Sequence, residues 1–253
     1  MPFPVDGFLL LLARLSGLFL SAPIFSSRQM PVRIKVFVLV LLSVTLSYVI
    51  PVGNAVSIDN AGMFLAAMVM EIVVGFTIGF VAYVVFAAIQ LAGQLMDMQM
   101  GFGIVNVVDP LSGTQIPLMG NLTQTLALLM YLVIDGHHYL LQALIQSYQI
   151  VPVMGLNLGG SFFDLLMTIA AQMFVIAVKI AAPIIIAVLV ADIAMGFVAR
   201  TVPQMNVFIV GLPLRILVGL ITLMLMMPVY LWVFSILFSR FFTYLDQIIM
   251  SIG

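Results

Sequence analysis

The sequence predicts an all-α integral membrane protein of about six long, bent or kinked helices arranged as hairpins. Two observations carry that prediction. Of 253 residues, 64% are hydrophobic and only 7% are charged. Long apolar runs also recur along the whole chain, parted by short polar or Gly- and Pro-containing stretches. An ordinary soluble domain is about a quarter charged. A water-facing surface cannot be built from so few charges, so lipid or other protein must act as solvent for much of this chain. The net charge of −1 supplies no field for nucleic acid, and no nucleic-acid partner is expected. With no Cys there is neither a disulfide framework nor a thiolate metal site.

The first helix is expected over residues 7–25. Asp6 precedes that run and Arg14 interrupts it, and no basic segment leads it, so it reads as a retained helix rather than a signal peptide. A short basic loop follows from Arg28 to Lys35. The second helix covers about 36–50 and stops at Pro51-Val52-Gly53-Asn54. No proline breaks the third, which runs over about 61–95. The fourth spans about 117–134, with residues 138–150 as a separate, more polar helix. The fifth covers 162–200 and the sixth 207–242. Spanning a bilayer takes about 20 residues. The third, fifth and sixth helices are longer than that, so they must tilt, bend or project beyond the hydrocarbon.

Two segments are irregular. Residues 101–117 (GFGIVNVVDPLSGTQIP) are rich in Gly and small polar residues, and residues 151–160 (VPVMGLNLGG) form a second break. Within lipid, irregular backbone is tolerated only where protein or a water-filled cavity surrounds it. Arg28, Arg33 and Lys35, and later Arg200, argue for cytoplasmic loops. The 101–117 loop holds Asp109 and no Lys or Arg, so the same rule leaves its side open.

Arg14, Glu71, Lys179, Asp192 and Arg215 lie within or near apolar runs. Each costs roughly 3 kcal/mol at mid-membrane on insertion scales. Five facing lipid would consume about 15 kcal/mol, more than a typical domain's stability. They must therefore face partners, water or the membrane surface, either as a relay or conduit lining or as inter-subunit pairs. Asp192 and Arg200 lie about 80° apart around a helix, on one side but out of contact. Pro183 should disturb the carbonyl of Lys179 and kink the helix. Gly75 and Gly79 form a GxxxG pair, best suited to close helix packing within the chain.

Enzyme motifs are missing. There is no HExxH, GxSxG or Walker A loop. Gly101-Phe102-Gly103 begins like a dinucleotide fingerprint but reaches Asn106 where the third Gly belongs. His137 and His138 are adjacent, and helical geometry sends them about 100° apart, away from a shared metal. No cofactor is expected. Met96, Met98 and Met100 alternate at the end of the third helix. On an α-helix they splay around the axis. They are either adaptable packing or a deformable collar that seals a pore by dewetting.

The stretch from Phe197 through Arg200, Pro203-Gln204, Asn206 and Phe208 to Gly211 and Pro213 resembles the signature of the flagellar biosynthetic protein FliR family. Asp109-Pro110-Leu111-Ser112-Gly113-Thr114-Gln115, after a Met- and Gly-rich turn, resembles that family too. The resemblance covers essentially the whole chain. It implies a subunit of the type III protein export gate in the bacterial inner membrane, within the flagellar basal body and partly raised to the periplasmic side. It implies FliP and FliQ as gate partners, FlhB and FlhA as neighbours, and unfolded flagellar proteins as cargo. It also implies a P-like part over residues 1–178 and a Q-like helical hairpin over 179–253, turning at Pro203-Gln204. The family's channel plug maps onto the 101–117 loop, with Gly101, Phe102, Gly103, Val105, Asn106, Val107, Asp109, Pro110 and Gly113. Met98 and Met100 extend that gate. Arg200, Pro203, Gln204, Asn206, Phe208, Lys179, Asp192 and Glu71 are then expected at subunit contacts. The competing reading is a proton-coupled transporter of small solutes, with Glu71, Lys179 and Asp192 as coupling groups. No internal repeat is visible in its favour.

Overall fold

The computed structural model describes residues 5–27, 30–50, 60–103, 117–202, 204 and 206–253. Among them the chain forms seven helices: α1 (Val5–Ser21), α2 (Val32–Val49), α3 (Ala61–Met100), α4 (Leu118–Val133), α5 (Gly136–Ile150), α6 (Gly160–Thr201) and α7 (Val207–Ile252). Four stretches are long and apolar enough to cross a membrane: Val32–Val49, Ala61–Met100, Gly160–Thr201 and Ile209–Ile252. Taking the broken pair α4–α5 as one span makes five. The protein is an integral membrane protein.

The helix ends differ from the sequence expectation for local reasons. α1 stops at Ser21, because Pro23 cannot continue it. α2 begins at Val32 behind Pro31, so Arg33 and Lys35 sit in its first turn rather than in a basic loop. α3 continues to Met100, where Gly101 takes φ 89° and closes the helix as a left-handed cap. α7 passes 242 to Ile252, since Leu245, Ile248, Ile249 and Ile252 recur at helical spacing and are all buried. α6 contains Pro183 and runs on through it. α3, α6 and α7 have 40, 42 and 46 residues. At 1.5 Å per residue each is about 60 Å or longer, roughly twice a bilayer's hydrocarbon thickness.

The chain divides into two compact units. The first comprises residues 1–85, 131–170 and 238–253. Its core gathers Leu10 and Leu11 of α1 with Phe64 and Ala67 of α3, flanked by Leu46, Ile50, Met68, Tyr148, Val153 and Met154. α1 and α3 approach closely because Gly17, Gly75 and Gly79 carry no side chain. A Cβ on Gly75 would fall on the Arg14 carbonyl, and one on Gly17 would come within 2.7 Å of the Phe76 nitrogen. The Ser21 hydroxyl donates to the Phe76 carbonyl at 3.0 Å. The GxxxG pair thus serves packing within the chain, as expected. Elsewhere in this unit Tyr131 meets Phe238 and Phe241 at ring separations of 5.3 and 6.4 Å. Tyr139 meets Phe242 at a ring separation of 4.0 Å, the planes tilted by 37°, and donates to Asp246 at 3.3 Å.

The second unit comprises residues 86–130 and 171–237. Here α3 meets α4 at Gly93 and Gly120. A Cβ on Gly93 would lie 2.6 Å from both the Gly120 nitrogen and the Thr123 hydroxyl. α6 and α7 are tied by Arg215 and Asp192, whose charged atoms lie 2.6 Å apart.

Candidate functional site

The most organised polar site lies in the first unit. Arg14 is fully buried at 0% exposure and Glu71 at 1%. The guanidinium forks onto the carboxylate, with Nε donating to Oε2 at 2.6 Å and Nη2 to Oε1 at 2.9 Å. Nη1 donates to the Ser147 hydroxyl at 2.9 Å, and Nη2 also to the Val151 carbonyl at 3.0 Å. The Tyr148 hydroxyl donates to Glu71 Oε2 at 3.0 Å. The Tyr148 ring also lies 3.6 Å from the Arg14 guanidinium carbon, a cation–π contact. A bidentate Arg–carboxylate pair with its remaining donors satisfied is the form in which a buried ion pair is tolerated. Four segments meet here: α1, α3, α5 and the turn after α5.

Two pairs of the intramembrane charges meet within this chain: Arg14 with Glu71, and Arg215 with Asp192. Lys179 and Arg200 are exposed and have no ion-pair partner among the described residues. Two of the three coupling groups that the transporter reading would use, Glu71 and Asp192, each hold an arginine.

The second site surrounds the ends of the 101–117 loop, in the second unit. The Asp97 carboxylate accepts from the backbone nitrogens of Met119 at 2.9 Å and Gly120 at 3.1 Å. It thereby caps the N-terminus of α4, where unpaired N–H groups and the helix dipole favour an anion. The Phe102 nitrogen donates to the Asp97 carbonyl at 3.0 Å. Asp97 therefore clasps both stems of the loop. Sequence reasoning passed over it, although it is the one acidic residue between Glu71 and Asp109.

The methionines splay as a helix requires. Met96 and Met100 are buried, while Met98 is 72% exposed. Met100 lies against Gly219 of α7, where a Cβ would meet its Cε at 2.6 Å. Gly101 is buried, and Phe102 and Gly103 are half-buried. Val105, Asn106, Val107, Asp109, Pro110 and Gly113 lie outside the described residues, as does Pro203. Gln204 is exposed. Asn206 is exposed too and caps α7, accepting from the Ile209 nitrogen on its carbonyl at 3.1 Å and on Oδ1 at 3.4 Å. Phe208 is the second residue of α7.

A third constellation contradicts expectation. His137 and His138 do not diverge. Their ring centroids lie 4.1 Å apart. One ligand atom from each, together with one from Asp135, all fall within 4.8 Å of one another. They sit where α4 breaks and α5 starts, behind Asp135 in left-handed backbone at φ 56°. Both residues are helical, so it is their side-chain torsions, not the backbone, that bring the rings together.

These features define a class: a helical integral membrane protein whose buried Arg14 and Glu71 are matched within the chain and whose Asp97 fastens the end of α3 to the start of α4. The chain belongs to the bacterial export proteins, family 1, whose pattern matches residues 5–241. It is 37% identical over 250 residues to the flagellar biosynthetic protein FliR of Bacillus subtilis, covering 98% of this chain and 96% of that one. It is 30% identical over 241 residues to FliR of Escherichia coli, covering 95% and 92%. The secretion system apparatus protein SsaT of Salmonella typhimurium is 28% identical over 178 residues, covering 70% and 69%.

Proposed function

We propose that this chain is a subunit of the export gate of a flagellar type III secretion apparatus, forming part of the channel for unfolded flagellar proteins. The observation that carries this reading is the family match over residues 5–241, joined to near full-length similarity to FliR proteins. The subunit works without chemistry of its own. It sits in the bacterial inner membrane within the basal body and assembles with FliP and FliQ, next to FlhB and FlhA. Residues 1–178 act as the P-like part and 179–253 as the Q-like hairpin. The exposed residues Lys179, Arg200 and Gln204 support a role at subunit contacts. Glu71 and Asp192, already held within the chain, shape the surfaces offered rather than reach across them.

The loop after α3 is the plug of the closed channel. Its fastened base supports this role, because a plug must be anchored while its tip yields. Met98 is the gate-facing methionine, being exposed where Met100 is packed.

The test is the mass of the detergent-solubilised particle, with this chain expressed alone and then with P- and Q-type partners. A single large complex with one copy of this chain, formed only on co-expression, is expected. A monomer or dimer indifferent to those partners would sink the proposal. For the plug, deleting Val105 to Thr114 in the assembled gate is expected to raise ion leak, measured as conductance in planar bilayers.

A further inference from the structure

We propose that Asp135, His137 and His138 form a binding site for one divalent first-row transition-metal ion, at the break between α4 and α5. Two imidazoles and a carboxylate are the donor set that such ions favour. One ligand atom from each residue already lies within 4.8 Å of the others. His138 Nδ1 and Asp135 Oδ1 are 3.2 Å apart, close to the roughly 3.3 Å between two ligands held at about 2.0 Å by one tetrahedral ion. His138 and Asp135 have side chains 70% and 71% exposed, so both can turn toward His137, the third donor.

A second observation points the same way. His137 Nδ1 is buried and has no hydrogen-bond partner among the described residues. An orphaned buried nitrogen calls for an explanation. Ligation of an ion through Nδ1 supplies one, because it gives that nitrogen's lone pair a partner.

The backbone favours the site as well. Asp135 adopts left-handed φ 56°, and its carbonyl accepts from the His138 and Tyr139 nitrogens at 2.9 and 3.2 Å. The Tyr131 hydroxyl donates to the Gly136 carbonyl at 2.6 Å. The three ligands thus stand on a turn already fixed by main-chain bonds, and the ion clamps that turn. Water or a further donor completes the coordination.

Composition makes the test clean, because the chain has two histidines and no cysteine. Imidazole ligation of any bound ion can come from this site alone. Tag-free full-length protein in detergent is titrated with Zn2+ against a chromogenic chelator, and the loaded protein is studied by X-ray absorption. The expected result is one Zn2+ per chain at micromolar affinity, with two imidazole nitrogens in its shell. His138→Gln and Asp135→Asn, both at exposed side chains, should each weaken binding at least tenfold while leaving the helical circular dichroism unchanged. Binding only at millimolar Zn2+, an all-oxygen shell, or affinity indifferent to both substitutions would overturn the proposal.

Discussion

Removing the Glu71 carboxylate leaves the Arg14 guanidinium buried without a counter-charge. Breaking a buried pair from one side typically costs about 3–5 kcal/mol, whereas replacing both partners with apolar groups of similar volume is often close to neutral. Glu71→Gln is therefore expected to destabilise the protein by about that amount. Arg14→Met combined with Glu71→Leu should recover much of the loss, because partners in contact do not add. Thermal unfolding of the detergent-solubilised protein checks both, and a Glu71→Gln variant as stable as the parent would remove the ion pair from the account. The two residues stood out in the sequence as charges that lipid would not tolerate, but their pairing did not. They are 57 positions apart, and nothing local says which charge meets which. Asp97 was harder still. A carboxylate at a helix end acquires its meaning only when the N-terminus of α4 is brought against it, 22 residues later.

Helix contacts show the same division between what a local pattern can say and what the fold decides. Gly75→Ala gains helix propensity, about 0.8–1 kcal/mol, but its Cβ lands on the backbone carbonyl of Arg14 rather than on a flexible side chain. Backbone cannot step aside without moving α1, and overpacking of this kind costs about 1–3 kcal/mol. Packing should win, so Gly75→Ala lowers the unfolding temperature. Gly196 lies within α6 with nothing within 4 Å of its Cβ position, and Gly196→Ala should leave stability equal or higher. If both substitutions behave alike in thermal melts, close approach of α1 and α3 is not what Gly75 provides. GxxxG was readable as a packing motif, while its partner helix was not. Helix number and type were also readable, because apolar runs and breakers are local. Several ends were not. The sixth helix was expected to end at 242, yet the apolar stripe continues through Ile252 and its burial keeps the helix intact. At α3 the stop signal was Gly101, six residues past the expected end at 95.

On the scale of the whole molecule, the governing fact is how little of the apolar surface the chain covers by itself. Only 11% of α2 is buried, and 28% and 17% of the most apolar stretches of α6 and α7, against 67% for α3. α3 is thus a core element, and the other three must be covered by lipid or by other subunits. These two coverings can be told apart, because the chain contains a single tryptophan. Trp232 lies on α7 with 64% of its surface exposed, so its fluorescence reports on what touches that helix. Bromine on lipid acyl chains quenches an indole it contacts. Reconstituted alone in brominated-lipid bilayers, the chain should lose most of its emission. Assembled with P- and Q-type partners, it should regain it, since a subunit interface excludes acyl chains from the patch. Equal quenching in both states would mean that this face of α7 stays in lipid, and the partner surface would then have to be sought on α2 and α6. Protection on assembly would instead explain why so apolar a face is kept on so long a helix.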